Sequence, residues 1–310
     1  MNKNLNPVSI VKFDGDIAKT LETATDLVGG LTLSNIPILI KPNLCVGIDN
    51  SGGATTNIQL IRALVDEILR EKGNSAIRIV ESNSESKYVE KAFNNLGYRK
   101  LEEEYLANGH DVSLVNLSKE PNKTISIDGL HFKEVKLPKI LLGRRLFISV
   151  AKAKTHELTQ ITGVLKNQFG CLPEKDKTVY HRYIDKVIVD LNRVIKPDLN
   201  IVDGVVGMEG VYKGRLKQLG VIICGRDPVS VDATLARVMT FNPLKIKHIV
   251  LAERYGLGST RPAIVGEKIE SVAMEFRKPK LGTAYKIYLR LPKPISQVIR
   301  GTYRKFVRVI

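Results

Sequence analysis

The side chains of this chain that carry chemistry sit where apolar runs stop. The run 36–40 is followed by Lys41, Pro42 and Asn43, and the run 76–80 by Glu81. The run 146–150 leads into Lys152, Lys154, Thr155 and His156, and Lys166 and Asn167 follow a few residues on. The run 199–202 is followed by Asp203, and 219–224 by Asp227. Lysine is seldom buried without a partner, so a cluster of them at strand ends asks for an anion. Several ammonium groups together hold a carboxylate or phosphate as point charges. One lysine desolvated among others has a lowered pKa and serves as a base or Schiff-base nucleophile. Asp203, ahead of Gly204, is the best-placed acid for proton transfer. We therefore expect Lys152, His156 and Asp203 as catalytic groups. Lys41, Asn43, Thr55, Thr56, Lys154, Thr155, Lys166, Asn167, His181 and Glu209 are the expected ligand contacts. Solvated loops with ordinary surface lysines are the competing reading, since charged clusters mark sites only statistically.

His156 and His181 stand 25 residues apart, which is not a metal-binding spacing, and no metal set is assigned. Asp227 is most simply a helix cap, and Asp232, inside the next helix, is expected to pair with a lysine of the site. Cys171 reads as a structural thiol.

Periodicity supplies the elements that must hold these groups. Short apolar runs alternate with stretches of helical spacing, such as Ile17, Leu21, Ala24 and Leu27. That alternation predicts an α/β fold with a mainly parallel sheet and helices on both faces. Ligands of such sheets bind in the crevice at the strands' carboxyl ends. The loop 44–56 contains Ser51, Gly52, Gly53, Ala54, Thr55 and Thr56 ahead of a helix at 57–71. It either offers backbone N–H groups to an anion or is a plain turn. Glycines 204, 207 and 210 permit tight turns and close approach of backbone to a ligand. Asp128-Gly129 between two strand-like stretches predicts a tight hairpin, inserted at about 120–136. The expected organisation is an α/β domain over 1–270 and a basic tail over 271–310.

The chain has 310 residues, 43% hydrophobic and 26% charged, as ordinary globular proteins do. It has no run of eighteen apolar residues that would span a membrane. The N-terminal residues lack a signal-peptide pattern, and three cysteines fall at 45, 171 and 224. A reduced, cytoplasmic protein is the expectation. The net charge is +16, but no acid follows Glu275, whereas ten lysines and arginines do. The body is thus only mildly basic, and the tail carries most of the excess. Over 296–310 the anchors Ile295, Val298, Ile299, Phe306 and Ile310 suit a basic amphipathic helix. Packing onto the body or a second subunit ranks first for this segment, contact with an anionic membrane surface second, and nucleic acid third.

The motifs together resemble the family known as domain of unknown function 362. The resemblance rests on Lys41-Pro42-Asn43, on Lys152 to His156, and on Thr162-Gly163 with Lys166-Asn167 and Gly170. It continues through His181, Asp203-Gly204, Gly207-Met208-Glu209-Gly210, Asp227, Asp232 and Gly256-Leu257-Gly258. Similar proteins are often fused to a ferredoxin module, which implies an association with redox processes and a redox partner. This chain lacks that cysteine-rich module. A distant kinship with the cofactor-binding domain of lactate racemase is not carried by any motif here. The function expected from residues and resemblance is an enzyme or cofactor-dependent protein binding a small carboxylate or phosphate, with its cofactor unassigned. The alternative is a non-catalytic accessory protein tethered through its tail.

Overall fold

The computed structural model describes residues 6–31, 36–49, 51–72 and 76–291. The chain runs through β1 (Val8–Lys12), α1 (Ile17–Asp26), β2 (Ile38–Pro42), α2 (Ile58–Lys72) and β3 (Ile77–Glu81). It continues with α3 (Val89–Asn95), α4 (Tyr98–Ala107), β4 (Val112–Asn116), β5 (Asn122–Ser126) and β6 (Glu134–Pro138). Then come β7 (Leu146–His156), β8 (Gln160–Ile161), α5 (Gly163–Asn167), α6 (Ile184–Val194), β9 (Leu199–Gly210) and β10 (Gly214–Lys217). The last elements are β11 (Val221–Gly225), α7 (Pro228–Val238), α8 (Lys247–Arg254), β12 (Ile264–Gly266), α9 (Ile269–Val272) and α10 (Thr283–Arg290).

The main sheet has the order β12-β1-β11-β9-β7-β2-β3-β4. Strands β9, β7, β2, β3 and β4 are parallel neighbours, and β11 runs antiparallel to β9 and β1. The protein is therefore an α/β fold with a mostly parallel sheet. Strands β2, β7 and β11 are buried along their whole length, as strands covered on both faces must be. One core joins α1, α2, α3 and α4 to the sheet through Leu21, Leu64, Phe93 and Tyr98. The other joins α5, α6, α7 and α8 through Val164, Val187, Val229 and Ile249. The caps follow local chemistry. Asp227 accepts from the N–H groups of Val229 and Ser230, and Pro228 stands at the first helical position.

Three local expectations are corrected. The antiparallel pair β5–β6 exists as a separate small sheet, but Asp128-Gly129 is not a two-residue turn. The strands are joined by the loop 127–133, whose N–H groups at Leu130, His131 and Phe132 point at the carboxylate of Asp190 on α6. A distant acid thus fixed a loop that local propensity assigned to a tight turn. Strands β7 and β9 do not end at their first polar residues. They run on as partners, with Lys152 beside Asp203 and Lys154 beside Met208, because opposite charges satisfy each other across the pair. The glycines after Asp203 consequently lie inside a strand. A Cβ on Gly204 would stand 2.7 Å from the Val221 carbonyl, and one on Gly207 2.8 Å from the Phe276 ring. Close packing of backbone and ring, not a ligand, needs the bare backbone there.

Candidate functional site

A cavity of about 160 Å³ opens at the carboxyl ends of β2, β3 and β7, closed from one side by α5. Among the described residues it is lined by six lysines, 41, 87, 154, 166, 175 and 177, against two carboxylates, Glu81 and Glu85. His156, His181, Asn43, Asn167 and Cys45 also face it.

Five of the six lysines are already engaged. Lys41 lies 2.9 Å from Glu81 Oε2 and 3.3 Å from Asn167 Oδ1. Lys87 donates to the Ser82 carbonyl and stands 3.7 Å from the other oxygen of Glu81. One carboxylate therefore serves two ammonium groups. Burial drives the Glu81 carboxyl upward, but Lys41 and Lys87 more than offset it, and its pKa ends below the usual carboxylate value. Lys154 donates to the Ala54 and Val211 carbonyls at 2.9 and 3.0 Å and lies 2.9 Å from Cys45 Sγ. Lys175 donates to Tyr88 Oη at 2.7 Å, and Lys177 to the Asn83 carbonyl.

Lys166 differs. Among the described residues its ammonium has no carboxylate and no hydrogen-bond acceptor, and its nearest named contact is the Phe169 ring, 5.9 Å from Nζ. Burial, then the charge of Lys154, pulls its pKa down to about 8. The helix that carries it is held at both ends. Asp232 accepts from the N–H groups of Val164 and Leu165 at 2.6 and 3.1 Å. Asn167 donates to the Lys41 carbonyl and to Ser149 Oγ. Asp232 is thus a clamp for α5 and not the lysine partner expected of it. Burial raises its pKa to about 7.

Both cavity histidines are held toward the neutral form. Burial, then the charge of Lys166, holds His156 well below the usual imidazole value. The same two causes bring His181 to about 4. Nδ1 of His156 accepts from the Leu158 N–H at 3.2 Å, so the neutral ring carries its proton on Nε2. Nδ1 of His181 is 2.6 Å from Tyr285 Oη on α10, which brings the start of the basic tail against the site. Arg182 adds a hydrogen bond to the Leu291 carbonyl.

The expected site residues divide. Lys41, Asn43, Lys154, His156, Lys166, Asn167 and His181 line the cavity, whereas Lys152, Asp203, Thr55, Thr56, Thr155 and Glu209 lie outside its lining. Lys152 and Asp203 are buried and paired at 2.8 Å, and the same Asp203 oxygen accepts the Asn57 N–H at the start of α2. Thr155 donates nothing to the cavity but accepts the Gly210 N–H, and Glu209 accepts the Arg277 N–H. Thr56 bridges the Asn43 N–H and the Val150 carbonyl. The glycine-rich loop does cradle an anion, and the anion is internal. Asp49 accepts from the N–H groups of Ser51, Gly52, Ala54 and Thr55. Lys87, Lys175 and Lys177 went unrecognised in the sequence. Lys87 and Lys175 sit on irregular segments and Lys177 opens a 3-10 helix, where no strand or α-helical periodicity points a side chain toward the sheet edge.

Among the described residues no group of three or more His, Cys, Asp or Glu side chains is arranged to hold a metal ion. Cys45, Cys171 and Cys224 form no disulfide bond.

Fold and site define a class: a doubly covered, mostly parallel α/β sheet with a lysine-rich cavity at its carboxyl edge. The chain belongs to the family described as "Domain of unknown function (DUF362)", whose model matches residues 38–237. It is similar to a thylakoid-associated protein of Synechocystis sp., with 25% identity over 309 residues, covering 95% of this chain and 92% of that one. Among solved structures it is similar to the lactate racemase apoprotein from Thermoanaerobacterium thermosaccharolyticum, with 9% identity and a TM-score of 0.43. That likeness covers 77% of this chain and 59% of the other.

Proposed function

We propose that the cavity binds a small anionic ligand, a carboxylate or phosphate, and that the protein acts on this ligand as an enzyme. The carrying observation is the imbalance of six lysines over two carboxylates in one lining. Buried charges are costly without compensation, and a bound anion supplies it. The volume, about 160 Å³, is comparable to that of the engineered cavity of about 150 Å³ that accepts benzene, which sets the ligand at a few heavy atoms. The test is a melting curve of the full chain at low ionic strength with inorganic phosphate, lactate or glycerol. A native-state ligand at 100 times its Kd stabilises by about 2.7 kcal/mol, a rise of several degrees. Phosphate or lactate should raise Tm and glycerol should not. Equal curves with all three would remove the proposal.

A second reading is supported by the thylakoid-associated relative and by the charge of the tail. Here the protein sits peripherally on an anionic membrane through residues 283–310. No helix among the described residues is long and apolar enough to cross a membrane. The segment 296–310, expected to be an amphipathic helix, lies outside the described residues.

A further inference from the structure

We infer that Lys166 is an amine nucleophile that forms an imine with a small 2-oxo acid bound in the cavity, an inference that rests on the cavity being the anion site proposed above. The geometry singles out this lysine. The five other cavity lysines spend their N–H groups on carboxylate, carbonyl, phenol or thiol partners, whereas Nζ of Lys166 has none among the described residues. Its neighbours in sequence are fixed: the Leu165 N–H is held by Asp232, and Asn167 is bound to Lys41 and Ser149. A nucleophile on a rigid support, with a side chain left unengaged, meets the requirement for a preorganised reacting group. Electrostatics agree with the geometry. With its pKa at about 8 in place of 10.5, Lys166 has on the order of 100-fold more free amine at neutral pH than an ordinary lysine.

The remaining parts of the cavity suit a 2-oxo acid. Lys154 is the cation that acts most strongly on Lys166, and its charge, which meets carbonyls and a thiol but no carboxylate among the described residues, would attract a carboxylate adjoining the carbonyl. His156, with its proton on Nε2, offers a neutral donor to the carbonyl oxygen. In the reaction, the Lys166 amine attacks the carbonyl carbon and the C=O electron pair moves to oxygen. Nitrogen loses a proton and oxygen gains one, giving a carbinolamine. Its hydroxyl then leaves with a proton as water while the nitrogen lone pair closes the C=N bond. Amine and ketone give imine and water, with no oxidant or reductant.

The experiment uses the full chain with pyruvate and sodium cyanoborohydride, read by intact mass and peptide mapping, beside a melting curve with lactate. The expected result is one carboxyethyl group, on Lys166, with a yield that climbs through about pH 8. The Lys166→Arg chain, shown to be folded by its own melting curve, should take none, because arginine is not a nucleophile at these pH values. Peptide mapping of the unaltered chain decides the matter if that variant does not fold. Stabilisation by lactate without an adduct would overturn the imine and leave the anion site standing. No stabilisation and no adduct would overturn both. Adducts spread evenly over the chain's lysines would also overturn the assignment.

Discussion

Lys152 shows why a lysine beside a cavity need not belong to it. Its ammonium and the Asp203 carboxylate lie 2.8 Å apart, and both side chains are essentially inaccessible. Removing one partner of a buried pair strands the other, which costs about 3–5 kcal/mol. Lys152→Met should therefore lower the stability measured by urea unfolding by about that amount. The stranded Asp203 would also hold α2 less well, since it accepts the Asn57 N–H. An unchanged unfolding midpoint would return Lys152 to the catalytic candidates. Lys166 is the opposite case. It has no such pair among the described residues, so its replacement should act on ligand binding much more than on folding.

At the scale of elements, the short helix α5 decides where the reactive lysine stands. Gly163 opens it with φ +62, and a Cβ there would lie 2.2 Å from Asp232 Oδ1. The glycine is required twice, for the left-handed backbone and for the approach of the carboxylate that clamps the helix. Gly163→Ala should destabilise the protein by more than about 1 kcal/mol. The fraction that remains folded should lose the rise of Tm with phosphate or lactate, because displaced Asp232 no longer fixes Lys166. Differential scanning calorimetry with and without phosphate checks both effects, and a variant that keeps both stability and shift would refute the clamp. Strands β7 and β9 make the same point at longer range. Their shared polar half positions Lys154 and His156, and it is a strand because Lys152 and Asp203 meet across it.

For the molecule as a whole, the contact of Tyr285 with His181 ties the start of the basic tail to the cavity. Seven lysines and arginines follow from Lys286 onward, without an acid. Each contributes roughly 1 kcal/mol near an anionic surface, and salt weakens the attraction. The full chain should sediment with anionic liposomes at low salt and be released at high salt, while a chain ending at Gly282 should stay in the supernatant. Equal sedimentation of both, or of neither, would remove the membrane reading and leave the described part of the tail as a cover for the site.

The sequence by itself determined the α/β alternation, the helix cap at Asp227, and the presence of lysines at the sheet's carboxyl edge. These are local matters: the period of apolar residues, a side chain reaching its own backbone, a charge at the end of an apolar run. Tertiary structure decided which lysines are spent and which is left. Lys41 meets Glu81 across 40 residues, Lys152 meets Asp203 across 51, and Lys154 meets the Ala54 carbonyl across 100. The first two partners are set by the register of parallel strands and the third by the return of the loop 44–56 onto β7, neither of which local spacing encodes. The glycine-rich loop is the local exception: Asp49, which fills it, belongs to the same loop as the N–H groups it accepts from, yet it went unrecognised in the sequence. Whether a charge is available for chemistry thus depends on what the fold has brought beside it, because in a dry site an ammonium and a carboxylate in contact neutralise each other.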